Sequence, residues 1–141
     1  MAETGQRIRV YLHWLQVLDN LDPAYEERGE FAFSAKVRAD GTLHEWRFPK
    51  EGHYSVSDHP AWNKLTIGDV IFEGVVQNEL TIDLTGEEFD FLSASDHLEP
   101  YSRTFTGSPA TWVGRYCPGD EGPPDPEDLS NWRVCYEIQT T

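Results

Sequence analysis

Apolar and polar residues alternate with a period of two along four stretches of the chain. Ile8, Val10, Leu12 and Trp14 fall on one parity, with Arg7, Arg9, Tyr11 and His13 on the other. Phe31, Phe33, Ala35 and Val37 alternate with Ala32, Ser34, Lys36 and Arg38. Leu80, Ile82 and Leu84 alternate with Thr81, Asp83 and Thr85, and Trp132, Val134, Tyr136 and Ile138 with Arg133, Cys135 and Glu137. Successive strand residues point to opposite faces, so each stretch predicts a half-buried strand with one wet face. Further strand candidates are Leu43–Phe48, Asp69–Val76, Tyr101–Phe105 and Thr111–Tyr116.

Turn residues separate these runs. Asp40-Gly41-Thr42 reads as a tight hairpin connection, and Gln77-Asn78 is expected to separate its flanking strands in the same way. A short helical turn is expected across Ser57–Leu65, with Pro60 near its start. The Pro-rich piece Cys117–Leu129 is a long loop before the last strand. About eight strands with one apolar face each are what two packed sheets need. The expectation is an all-β fold, a single antiparallel β-sandwich in one domain over residues 1–141. A closed barrel satisfies the same alternation.

Composition narrows the class. Apolar residues at 38% and aromatics at 13% supply a core and argue against disorder despite a net charge of -14. With 25 acids against 11 Lys and Arg, the chain lacks what a phosphate backbone requires, so nucleic acid is not an expected partner. No apolar run approaches the roughly 20 residues that span a bilayer. The start, Met1 to Gly5, is polar and shows no secretory pattern, so a cytoplasmic location is expected, at most peripheral to a membrane. On that basis Cys117 and Cys135 are expected as free thiols, with Cys135 on the outer parity of its strand.

The acidity is segregated. Asp19–Glu30 carries a net of -4, Leu65–Ser102 a net of -9 and Asp120–Asp128 a net of -5, leaving the rest of the chain at +4. An acidic surface that serves solubility alone would spread its charge. Carboxylates crowded on converging loops repel one another unless a cation neutralises them. Ca²⁺ accepts six to eight oxygens in flexible geometry and so tolerates unevenly spaced loop acids, whereas zinc prefers Cys and His.

The strand Leu80-Thr81-Ile82-Asp83-Leu84 leads into Gly86-Glu87-Glu88-Phe89-Asp90 and then Ser95-Asp96-His97-Leu98. Glu88, Asp90 and Asp96 stand two and then six residues apart. Upstream, a strand ends at Asp19, further acids follow, and Gly29-Glu30-Phe31 opens the next strand. These features resemble the C2 domains, β-sandwiches that hold Ca²⁺ on acidic loops at one end. The resemblance implies Ca²⁺ ligands at Asp19, Asp22, Glu30, Glu88, Asp90 and Asp96. It implies contact with an anionic membrane surface or a protein partner through Phe89 and Phe91. The chain departs from the family pattern at Ala24, where an acid is usual, and at Glu30 and Glu88, where Asp is usual. The segment Asp120–Asp128 has no counterpart in it.

Other constellations carry less. His13, His44, His53, His59 and His97 stand in no metal-ligand spacing, and Gly-x-Ser-x-Gly is absent. Neither Cys117 nor the pair Asp83 and Glu88 is distinguished as catalytic, so no enzyme is expected. Trp14, Phe31, Phe33, Trp132, Tyr136, Trp46 and Phe48 are expected in the core, and Trp62 is expected to be exposed. The sequence reading is a Ca²⁺-binding C2-like module. Its alternative is a metal-independent structural or protein-interaction sandwich, a subunit of a larger assembly.

Overall fold

The computed structural model describes residues 5–18, 28–57, 63–89, 96–119 and 125–141. In chain order these form β1 (Gln6–Val17), β2 (Arg28–Ala39), β3 (Thr42–Phe48), β4 (Tyr54–Ser57), β5 (Lys64–Val76), β6 (Glu79–Phe89), β7 (Asp96–His97) and β8 (Tyr101–Thr106). A 3-10 turn (Pro109–Trp112), β9 (Gly114–Tyr116) and β10 (Trp132–Thr140) follow. Two antiparallel sheets pack face to face. One runs β5-β1-β10-β9; the other runs β3-β2-β6-β7, with β4 also on β2 and β8 also on β6.

The expected alternation places the core. Phe31, Phe33, Ala35 and Val37 of β2, Leu80, Ile82 and Leu84 of β6, and Trp132, Val134, Tyr136 and Ile138 of β10 are all buried. Burying each large apolar side chain stabilises the fold by about 1.5–3 kcal/mol relative to exposure. Phe33 stacks on Trp132 with centroids 5.7 Å apart, joining the two sheets at the centre.

Strand β1 departs from strict alternation. Its register with β10 passes from Leu12↔Tyr136 to Trp14↔Cys135, leaving His13 as an extra residue. This bulge inverts the parity, so Leu15 and Val17 turn inward and are buried. Trp14, expected in the core, turns outward instead, and Lys64 Nζ lies 4.0 Å from its ring centroid. On the other side Ile67 and Gly68 of β5 lie between Leu12↔Asp69 and Trp14↔Thr66. Gly68 takes φ +63° there, and an added Cβ would lie 3.3 Å from the Tyr11 hydroxyl.

The Asp40-Gly41 turn joins β2 to β3 with both residues at positive φ, +50° and +89°, as a tight hairpin of this hand requires. Gln77-Asn78 proves to be a different kind of connection. It leaves β5 in one sheet and enters β6 in the other. Asp40 ties the two turns together. Its carboxylate accepts the N–H groups of Gln77 at 2.8 Å, Asn78 at 2.8 Å and Glu79 at 3.0 Å. Partial desolvation pushes this carboxyl up, but the three N–H donors together outweigh it and hold it below its ordinary value.

Two further expectations are corrected. Cys117 and Cys135 form a disulfide, and Cys135 is fully buried. Parity does put Cys135 on the outer side of β10, but Cys117, just after β9, covers it. Trp46 has the inward parity of β3, opposite Ala35, yet is 42% exposed. The reason is that β3 is an edge strand, and β5, which faces it, is the edge of its own sheet. Ser57, Lys64 and Leu65 of the expected helical turn are strand residues; residues 58–62, Trp62 among them, lie outside the described ones.

Asp40→Asn keeps a residue that tolerates positive φ but removes the charge. It is expected to lower stability at neutral pH by about 1 kcal/mol, allowing for solvent screening. The folded-state pKa is lowered, so the wild-type advantage is present above the unfolded value and fades as pH falls through the folded one. Urea melts from pH 7 down to pH 3 check this; a difference that grows on acidification would contradict it. The disulfide closes a loop with a sequence separation of 18, worth about 3 kcal/mol on the chain-entropy argument. Reductant and the Cys117→Ser variant are therefore expected to lower the denaturation midpoint equally, while unchanged melts in reductant would show free thiols in solution.

Candidate functional site

The antiparallel register fixes which strand ends lie together. Gln16 of β1 pairs with Lys64 at the start of β5, and Val17 pairs with Trp132 at the start of β10. Arg28 at the start of β2 pairs with Ser57 at the end of β4, and Glu30 pairs with Phe89 at the end of β6. Glu88 pairs in turn with Asp96. The strand ends flanking residues 19–27, 58–62 and 90–95 therefore gather at one end of the sandwich. The loop after β9 joins the same end, through the Leu18 N–H bonded to the Asn131 carbonyl at 2.9 Å. Residues 19–27, 58–62, 90–95 and 120–124 hold eight of the 25 acids and none of the 11 Lys and Arg.

The expected ligands are distributed as follows. Asp19, Asp22, Asp90 and Phe91 lie outside the described residues. Phe89 and Asp96 are placed by backbone alone, opposite Glu30 and Glu88. Glu30 and Glu88 fall on opposite faces of the six-stranded sheet. Glu88 follows the inward parity of Leu84 and is 2% exposed. Glu30 follows the outward parity and is exposed, its carboxylate 3.7 Å from His53 Nδ1. One ion cannot take both from a common side. Among the described residues no group of three or more His, Cys, Asp or Glu could hold a metal.

Several acids are occupied as structural acceptors. Glu99 accepts both the N–H and the hydroxyl of Ser130, at 2.8 and 2.7 Å, and these bonds hold its carboxyl below the usual range. Asp125 accepts the N–H groups of Gly119 and Glu127 at 2.8 and 3.0 Å, bracketing residues 120–124. Glu137 accepts from His13 at 2.9 Å on the outer face of the four-stranded sheet, and that bond, first among its causes, lowers its pKa.

A second cluster escaped the sequence reading. Glu127 is fully buried at the side where β8 meets β9 and β10. It accepts from Arg103 Nη1 at 3.0 Å and from the Tyr101 hydroxyl, which is also bonded to the Tyr136 hydroxyl at 2.6 Å. The Arg103 guanidinium lies over the rings of Phe105 and Tyr116, at 5.1 and 4.8 Å. Burial above all pushes both buried phenols well up, so Tyr101 and Tyr136 stay protonated as donors. The signal was present in Tyr101-Ser102-Arg103-Thr104-Phe105, where an Arg shares parity with two aromatics. An arginine on an inward face demands a buried acid, but nothing local says that the acid is Glu127. A carboxylate with no exposed surface meets no substrate; the cluster seals one side of the sandwich.

No protein-family model matches this chain, and no curated protein matches it in sequence. Among the described residues no helix is long and apolar enough to cross a membrane.

Arg103→Ala leaves the Glu127 charge buried and uncompensated. It is expected to cost about 3–5 kcal/mol, and Tyr101→Phe about 1–3 kcal/mol. Equilibrium denaturation in a double-mutant cycle with Glu127→Gln measures the coupling. A loss well below 1 kcal/mol for Arg103→Ala would show the pair to be solvated.

Proposed function

We propose that this chain is a C2-like, non-catalytic module that takes up Ca²⁺ at the acidic end of its sandwich and, once loaded, docks to an anionic membrane surface or a protein partner. The observation that carries this reading is the gathering of strand ends around residues 19–27 and 90–95. A cluster of carboxylates that outnumbers its basic neighbours, Arg28 and Lys64, is repulsive, and a hard dication removes that repulsion while accepting irregular oxygen ligands. The outward placement of Glu30 shifts the ligand set towards Asp19, Asp22, Asp90 and Asp96, with Glu88 opposite Asp96 in the register. Neutralising this end would allow Phe89 and Phe91 to approach anionic lipid or a partner surface.

A second reading is a metal-independent interaction domain whose acidic end meets a basic partner. The opposite facing of Glu30 and Glu88 favours it, because it breaks one of the ligand pairs that the resemblance implies. The Cys117–Cys135 bond bears on location under either reading: disulfides persist in oxidising compartments, which weighs against the cytoplasmic expectation.

Thermal melting with and without Ca²⁺ separates the two. At a Ca²⁺ concentration about 100-fold above Kd, binding to the folded state adds about 2.7 kcal/mol and raises Tm. Replacing Asp19 and Asp90 together by Asn is expected to raise the metal-free Tm, by relieving repulsion, and to abolish the Ca²⁺ response. Melts that ignore Ca²⁺, with calorimetry also silent, would leave the metal-independent reading standing.

A further inference from the structure

The open side opposite the Glu127 cluster lies between the edge strands β3 and β5, and it is not filled. Phe48 closes its floor, and Trp46, on the same parity of β3, projects past the edge. With Tyr54, Asp69 and Lys50 they line a groove of about 480 Å³. That volume lies in the range of small-molecule sites, about 300–1,000 Å³. Arg47 donates to the carbonyls of Pro49 at 2.6 Å and Gly52 at 2.9 Å, fixing the turn that closes one end.

Three properties of this groove restrict its ligand. It offers an exposed indole beside a phenol, so one surface of the ligand is apolar and flat. Its charged lining sets Asp69 against Lys50, while Glu45 and Arg47 stand on the outward parity of β3, so the groove is balanced on a chain of net charge -14. A strongly charged ligand therefore gains nothing from it. A wholly apolar ligand would strip water from Asp69 and Lys50 without replacing their hydrogen bonds. What remains is a neutral molecule with apolar faces and a hydroxylated rim. We propose that the groove between β3 and β5 binds a short neutral oligosaccharide, one pyranose stacked on Trp46 and its hydroxyls bonded to Asp69, Tyr54 and Lys50. None of the lining residues is among the proposed Ca²⁺ ligands, so binding does not require Ca²⁺.

Titration of the protein in a metal chelator with soluble cello-, xylo-, manno- and chito-oligosaccharides at millimolar concentration tests this. Amide chemical shifts and Trp fluorescence report the binding. At least one series is expected to shift the amides of β3 and β5 saturably. Trp46→Ala is expected to weaken that binding about tenfold or more, close to 1.4 kcal/mol per tenfold, with the fold retained because the side chain is not part of the core cluster. Asp69→Asn is expected to weaken it in the same direction. No saturable shift with any of the four series would overturn the proposal. So would undiminished affinity in Trp46→Ala, or protection of the β3 edge amides by an added peptide strand in place of a sugar.

Discussion

Two stacked sheets hide each other's apolar faces but leave two open sides, where the edge strand of one sheet looks across at the edge strand of the other. Everything distinctive in this molecule follows from how those sides are treated. At the β8/β9 side the gap is closed by an ion pair held between aromatic rings. Arg103 lays its guanidinium over Phe105 and Tyr116 and meets a carboxylate delivered by a loop. A buried pair of this kind is tolerable only with further hydrogen bonds, and the Tyr101 hydroxyl, itself tied to that of Tyr136, supplies one. At the β3/β5 side the contact is thin, with the edge-to-face pair His44 and Phe72 as its visible bridge, and Trp46 is left showing.

The loop that delivers Glu127 must be held in place, and several independent ties do so. The disulfide anchors its first residue to β10. Asp125 closes a turn on Gly119, the Val134 N–H bonds to the Glu127 carbonyl, and Glu99 receives Ser130. Trp132 Nε1 donates to the Glu99 carbonyl at 2.6 Å, which connects the loop to the central aromatic stack. Each tie satisfies a backbone or side-chain group that a long loop would otherwise leave to water. The order of this loop is therefore a condition for the seal, and the seal in turn keeps the β8 edge against the four-stranded sheet.

The layered architecture was legible because a period of two needs no tertiary knowledge: β2, β6 and β10 bury the residues their alternation assigns. The misreadings share a cause, which is that each depends on a partner distant in sequence. Trp14 turned outward because β1 carries an extra residue against β10, and the bulge is a property of the pair. Trp46 stayed exposed because nothing in β3 reveals that the facing strand ends the opposite sheet. Cys135 was read from parity as accessible, and it is covered by a residue 18 positions earlier. At the acidic end the spacing of Glu88 and Asp96 did reflect a real juxtaposition, since they are register partners. Glu30, read from the same pattern, fell on the other face by a single step of the strand.

The division of labour among the carboxylates gives the net charge its meaning. Asp40, Glu99, Asp125 and Glu127 accept hydrogen bonds from the chain itself. Glu73 bridges Arg7 and Arg9 at 3.6 Å each, and Asp128 pairs with Arg133 at 2.7 Å. Excess charge that serves the fold is thus spread over both sheets and both ends. The eight acids of the four end segments have no Lys or Arg among them. The strand ends that flank three of these segments are the ones the register holds together. The groove at the β3/β5 side presents Trp46 with Asp69 set against Lys50. The two ligand sites proposed for this sandwich therefore differ in chemistry for the same reason: one end collects the charge that the open side leaves balanced.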